Sequence, residues 1–568
     1  MKPFAGTVCR KNEPGFSFVC GSVFTSVCGR FQMVFDGMVF NPGILRNELK
    51  SSDGCIFETE DDAEMLLALY RKYGRNMLEK LNGSFTLAVF DTQMQELFLA
   101  RDRFGIEPLF YHVSREYFAF SNTLSELKKQ QFFDRSALRL EVIPEFLALQ
   151  YIPREKTIYD HTFKLLPGHS LTFRVRENEF ELHRYYSLSF APQKIAYADA
   201  CVRLQQLLAD AVTLRAEHTQ DLFLSGGLDS ALVGSLLGDR IGRITSVSFR
   251  DPVYDESAFA RETADFLSHR AGREMEHHFL PMNDAAETVD TLKHLLTLAG
   301  EPFADASLIP FSRLCAFAQH DALCGDGADE FFLGYERLRA MKLARKIAFL
   351  PFKDLIRNMF CGNGNGERSH KGRLARLLKI ATLPEHERYF AIISHNAPEM
   401  FKTLFDGEMK TIADRMSITA GDPVRFDIST YLPGDTLTKA YLGAAVGGIR
   451  TMSPFLDHRV AEFAVSLPQQ YRQNGAQRKK ILGDAFCDRL PPGLPQRKKR
   501  GFGVPLADWL RGPWHDPVQE YAVRGLPPDL FRRDVIADFV REHNSGAADH
   551  SYLIYSLLNL ALFLEINH

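Results

Sequence analysis

The stretch "QDLFLSGGLDSALVGSLLGD", residues 220 to 239, constrains the chain more than any other. Its first six residues have the apolar density of a buried strand, and from Asp229 onward apolar residues recur at helical spacing. Between the two stand Gly226 and Gly227, which let a backbone come close to a ligand. A helix that begins there points its free N–H groups and the positive end of its dipole at the turn, so the guest it favours is a phosphate. No G-x-x-x-x-G-K-[ST] occurs in the chain, so this is not a Walker loop. An ordinary Gly-rich turn remains the alternative on these residues alone.

The surrounding rhythm sets the fold class. Up to about residue 190 the chain reads as short strands such as "RFQMVFDGMVF", "SFTLAVFD" and "HSLTFRV", with helical patterns such as "DDAEMLLALYRKYG" between them. That is a layered α+β arrangement. From residue 197 a helix, the strand of 221–225, a second helix, the strand "RITSVSF", a third helix, "REMEHHFL", a long helix and "DALCG" alternate. Such alternation implies an α/β domain with a parallel sheet and right-handed crossovers. Residues from about 335 to the end are mostly helical by pattern, with "CGNGNGERSHKG" (361–372) expected to be a mobile loop. The expected division is residues 1–190 and 195–568.

At 568 residues two or three cores are the natural expectation. A formal charge of -3, from 68 Lys and Arg against 71 Asp and Glu, supplies no global attraction for nucleic acid. Nine cysteines without a C-x-x-C pattern point away from a disulfide frame or a zinc site and toward a reducing, cytoplasmic setting. The most apolar stretch, "YLIYSLLNLALFLEI" (552–566), is short and interrupted by Ser556 and Asn559, which fits a buried final helix better than membrane insertion.

In a parallel sheet, ligands bind beyond the carboxyl ends of the strands. Two acid-bearing loops fall there, "SGGLDS" and "CGDGADE" (324–330), so they are expected to face one another. Asp229 and Asp329 together suit Mg²⁺, which takes one or two carboxylates and completes its shell from phosphate. A polar turn capping the next helix is the competing account of "GDGADE".

These motifs, with "YDESAFAR", "EPFADAS", "TYLPGDTLTK", "PFLDHRVAEFAVSLP" and "RGFGVPLADWL", follow the order and approximate spacing of the asparagine synthetase family, including its β-lactam synthetase and lasso-peptide cyclase branches. Upstream, "LNGSFTLAVFD" and "LFLARDRFGIEPLFYH" resemble that family's N-terminal Ntn-type glutaminase sandwich. The resemblance covers nearly the whole chain. It implies an ATP pyrophosphatase domain of PP-loop type, in which a carboxylate attacks the α-phosphorus of ATP and an amine then displaces AMP. On that resemblance Ser225, Gly226, Gly227, Asp229 and Ser230 form the pyrophosphate loop, Val247, Ser248 and Phe249 line the adenine site, and Gly325 joins the nucleotide site. Asp229 and Asp329 would hold Mg²⁺. Lys499 in "RKKRGFG" falls at the family's catalytic lysine, whereas the basic residues around it read as a solvated turn.

The chain departs from the family in two places. A working glutaminase begins Met-Cys-Gly, but this sequence has Lys2 there, and "DGMVFN" (36–41) stands where "NGEIYN" is expected, so loss of glutamine hydrolysis is expected. In "AYLGAAVGGIRTMS" (440–453) small residues Gly443, Ala444, Ala445, Gly447 and Gly448 replace charge and bulk, which suggests room for a substrate larger than aspartate. Asp326, where the family carries Glu and its β-lactam branch Tyr, either positions an attacking amine or braces its loop. The resemblance then implies ATP-dependent macrolactam formation on a precursor peptide, as in the lasso-peptide cyclases, with a leader peptidase and a leader-binding protein as partners. An ammonia-dependent asparagine synthetase, a β-lactam-type synthetase and a nucleotide-binding scaffold are the alternatives.

Overall fold

A computed structural model describes residues 2–9, 15–282, 289–349, 370–415, 421–497 and 503–567. Before residue 185 the chain builds two antiparallel sheets. One runs Gly15–Cys20, Ala5–Cys9, Tyr117–Ser121, Phe110–Val113, Thr162–Lys164; the other runs Glu179–Arg184, His169–Arg174, Glu96–Arg101, Gly83–Asp91, Phe31–Val39, Phe24–Thr25. The central strand Gly83–Asp91 shows why its sequence is apolar on both faces. Phe85, Leu87 and Val89 pack with Leu66 and Leu69 of the helix Asp62–Tyr73, while Ala88 and Phe90 pack with Phe118 and Phe120 of the first sheet. The layers are therefore helix, sheet, sheet.

The second half is built on a parallel sheet ordered Glu276–Met282, Arg243–Phe249, Leu222–Phe223, Ala322–Leu323, Thr451–Met452. Strand order reverses around Leu222–Phe223, so the loops leaving it and Ala322–Leu323 open side by side at a topological switch point. Thr451–Met452 is too short for sequence alternation to reveal. The rest is helical, and it includes a ten-residue π-helix, Asp427–Thr436, a form that concentrates at functional sites. The last helix, Ser551–Asn567, is buried from Leu553 to Leu564, and it satisfies Ser556 and Asn559 by bonds to the carbonyls of Tyr552 and Tyr555. No described helix is long and apolar enough to cross a membrane.

Two expectations change. Residues 370–372 of the supposed mobile loop open the helix His370–Thr382, and residues 361–369 lie outside the described residues. Of the small residues of 443–448, Gly443 and Gly447 do not open a substrate space. They let the helix Leu437–Gly447 press against the helix Leu308–Ala318: a Cβ on Gly443 would lie 2.4 Å from the Phe311 ring, and one on Gly447 would lie 2.5 Å from the Cys315 carbonyl oxygen. Gly447→Ala is expected to lower stability by about 1–2 kcal/mol, because overpacking against backbone outweighs the roughly 1 kcal/mol gained in helix propensity. A lower urea midpoint at unchanged m-value is the expected result. An unchanged midpoint would restore the open-pocket account.

Candidate active site

The turn after Leu222–Phe223 is held by short local contacts. Ser230 Oγ accepts from the Ser225 amide at 3.2 Å, and Gly226 sits at φ +76° where a Cβ would lie 2.8 Å from the Ala260 nitrogen. Only glycine meets both demands. Beyond this turn lies a cavity of about 870 Å³. Ser225, Gly226, Gly227, Asp229, Ser230, Val247, Gly325, Asp326 and Asp329 all line it. Ser248 and Phe249 do not, and Thr245 and Ser246 stand beside Val247 instead. Lys499 lies outside the described residues.

A residue that no motif marked lines the cavity between its two acid-bearing loops. Lys479 Nζ lies 2.7 Å from Asp229 Oδ2 and 2.7 Å from Asp329 Oδ1, joining the two acid-bearing loops. Lys479 stands among other basic residues in "AQRKKILGD", where a solvated face is the ordinary reading, and only the tertiary fold turns it inward. It is 5% exposed and sits in the left-handed region at φ +48°. Asp229 and Asp329 thus converge on one cation-sized point. Among the described residues no three His, Cys, Asp or Glu groups converge as metal ligands, so the two carboxylates Asp229 and Asp329 are what the site would offer a Mg²⁺ that completes its shell from phosphate and water. Mg²⁺ bound there would neutralise a polyphosphate.

The cavity lining carries a second polar cluster. Lys439 Nζ bonds Asp305 Oδ2 and Ser307 Oγ, each at 3.0 Å. Burial resists ionisation of Asp305, but the Lys439 charge prevails and holds its carboxyl below the ordinary value. Burial, reinforced by the Asp305 charge, pushes Asp435 up to about 7; burial and the Asp329 charge do the same for Glu330. His395 is pushed down to about 4 by burial and is neutral at pH 7. Asp326 takes a bond from the Cys324 thiol at 3.4 Å, and its own carbonyl accepts from Ser453 Oγ at 2.6 Å, so its backbone braces the loop while its side chain lines the cavity.

A separate pocket of about 440 Å³ lies in the N-terminal half, lined by Lys2, Asp36, Arg46 and Asp62 among others, and by Arg450 from the second half. Arg450 bonds Glu107 at 2.8 Å and also pairs with Asp36. Asp36 takes further bonds from the Lys2 amide and from Asn122. No cysteine is among the described residues lining this pocket.

With this geometry in place, comparison with known sequences identifies both halves. The asparagine synthase profile matches residues 203–565, and the glutamine amidotransferase domain profile matches residues 22–186. The chain belongs to the asparagine synthetase family. A putative glutamine-hydrolysing asparagine synthetase of Mycobacterium bovis is 29% identical, over 94% of this chain and 84% of its own. Asparagine synthetase 1 of Bacillus subtilis, also named glutamine-hydrolysing, is 25% identical, over 94% of this chain and 86% of its own. As a member of the asparagine synthetase family, the protein is an ATP-dependent amide-forming ligase.

Proposed function

We propose that the protein adenylates a carboxylate of a precursor peptide, releasing pyrophosphate, and closes a macrolactam with an amine of the same peptide. The observation that carries this reading is the N-terminal pocket, where the Asp36–Arg450–Glu107 ion pairs stand and no thiol is available among the described lining residues. Without glutamine hydrolysis the amine comes either with the substrate, as in this reading, or as free ammonia, as in the second reading below. The cavity, near the top of the range of about 300–1,000 Å³ for small-molecule sites, supports a nucleotide and part of a larger substrate together. ATP would lie on the Ser225–Ser230 turn beside Val247, and Mg²⁺ held by Asp229 and Asp329 would take the point that the Lys479 ammonium fills in this structure, leaving that ammonium to the phosphates. Lys479 is the cation that can face charge developing on the phosphates. Asp435 and Asp326 are the carboxylates that can accept a proton from the amine, Asp435 being poised for this by burial.

A second reading, synthesis of asparagine from aspartate and ammonia, is favoured by the compact Lys439–Asp305–Ser307 cluster, which suits the head group of an amino acid. Three mixtures with ATP and Mg²⁺ separate the readings: the linear form of any short precursor peptide found encoded beside the gene, L-aspartate with ammonium chloride, and L-aspartate with glutamine. Macrolactam formation predicts AMP, pyrophosphate and a product lighter than the peptide by one water, in the first mixture alone. Turnover of the second mixture alone favours asparagine synthesis, and glutamate from the third overturns the loss of glutamine hydrolysis. ADP and phosphate in place of AMP and pyrophosphate refute both mechanisms.

A further inference from the structure

Gln150 belongs to the N-terminal half, yet it lines the synthetase cavity. It follows the helix Ile143–Leu149 and takes the left-handed conformation at φ 70°, ψ 4°, where glycine is the residue of least strain. A long amide side chain at such a position calls for a reason outside the turn. The surrounding contacts fix where it stands. The Gln150 carbonyl accepts from the Ala304 amide at 2.8 Å, one residue before Asp305, and the Ala148 carbonyl accepts from the His395 amide at 2.9 Å. This places Gln150 beside Asp305, at the Asp305–Lys439 part of the cavity.

The residue is 4% exposed, and its side-chain amide nitrogen is buried with no hydrogen-bond partner. A buried donor without an acceptor is costly and uncommon, and beside a ligand cavity a ligand oxygen is an acceptor well placed to meet it. Its neighbours do not compete for the role: Asp305 is already engaged by Lys439 and Ser307.

We propose that Gln150 is a specificity-determining residue that donates from its amide nitrogen to a carbonyl or carboxylate oxygen of the carboxylate-bearing substrate. This rests on the amide-forming reading above. It also gives the N-terminal half a task in a chain whose own pocket lacks a thiol among its described lining: it completes the acceptor side of the synthetase cavity.

Gln150→Leu separates this from a structural role. A donor with no partner is dispensable to the fold, so the leucine variant is expected to melt at or above the wild-type temperature. In whichever of the peptide and aspartate mixtures the wild type turns over, KM for the carboxylate substrate should rise about 10-fold, with kcat and KM for ATP within about twofold. Gln150→Glu should raise the same KM further at pH 8, because an ionised oxygen repels the oxygen it must meet. A melting temperature lowered by about 4 °C or more in the leucine variant, or equal changes in both KM values, overturns the assignment. If the wild type turns over neither mixture, the reaction reading fails. The melting comparison still decides Gln150, together with the thermal shift given by L-aspartate or the peptide in the presence of α,β-methylene ATP: a shift seen in wild type and lost in Gln150→Leu supports the assignment, and one of equal size in both overturns it.

Discussion

Lys479→Met is expected to reduce pyrophosphate release by at least about 100-fold, the scale on which a single preorganised charge acts on a transition state. The substitution also leaves Asp229 and Asp329 facing one another without the ammonium that now lies 2.7 Å from each. Removing one partner of a buried ion pair costs about 3–5 kcal/mol, so the variant should melt earlier as well. Lys479→Arg keeps the charge but replaces a compact ammonium by a planar fork, and partial activity is the expected result. Measuring pyrophosphate release for Lys479→Met beside Lys499→Met tests which lysine serves the reaction. Retention of more than a tenth of wild-type turnover by Lys479→Met rules it out of that role.

Asp457→Ala is expected to be the most damaging single change to stability away from the cavity. The Asp457 carboxylate is fully buried, lies 3.3 Å from Arg215, and takes bonds from Arg459 at 2.8 and 2.9 Å and from Asn82 of the N-terminal half at 2.9 Å. It also caps the helix His458–Ser466. Burial raises the cost of its charge, but the Arg459 hydrogen bonds and the Arg215 charge prevail and hold its carboxyl well below the usual range. Alanine leaves Arg215, 1% exposed, without its carboxylate, at a cost of about 3–5 kcal/mol. The sign of the pH dependence follows from the depressed carboxyl. Its stabilisation is complete above the unfolded value of about 4 and is lost as pH falls through the lower folded value. Wild-type and Asp457→Ala melting temperatures should therefore converge on acidification. Parallel curves would show that the ion cluster does not carry the difference.

The nucleotide half was legible because its signals are local. A strand, two glycines and an acid followed by a helix describe the turn at Ser225–Ser230 within one short stretch, and the order of "SGGLDS" and "CGDGADE" places both loops at one end of a parallel sheet. Lys479 was not legible, since it stands among other basic residues and only the tertiary fold turns it between Asp229 and Asp329. Gly443 and Gly447 were misread for a different reason. Small side chains serve equally for open space and for close backbone approach, and sequence does not separate the two. The strand Glu179–Arg184 is exposed along its whole length, so it carries no burial alternation to detect. Gln150 left no trace because its significance is an unmet hydrogen bond.

The ion pairs at Arg450 also bear on how the chain is made. Asp36 and Glu107 leave the ribosome early, whereas the arginine that neutralises them lies 343 residues beyond Glu107. At roughly 5–20 residues per second that interval lasts about 20–70 s. Throughout it the N-terminal sandwich carries two acids that its finished structure buries against a cation not yet synthesised. Burial and the Asp36 charge, opposed by Arg450, leave the Glu107 carboxyl at about 7 even in the finished protein. Without Arg450 the burial and the Asp36 charge that raise this carboxyl act unopposed by that cation, so its charge is harder to keep inside before the last parallel strand docks than after.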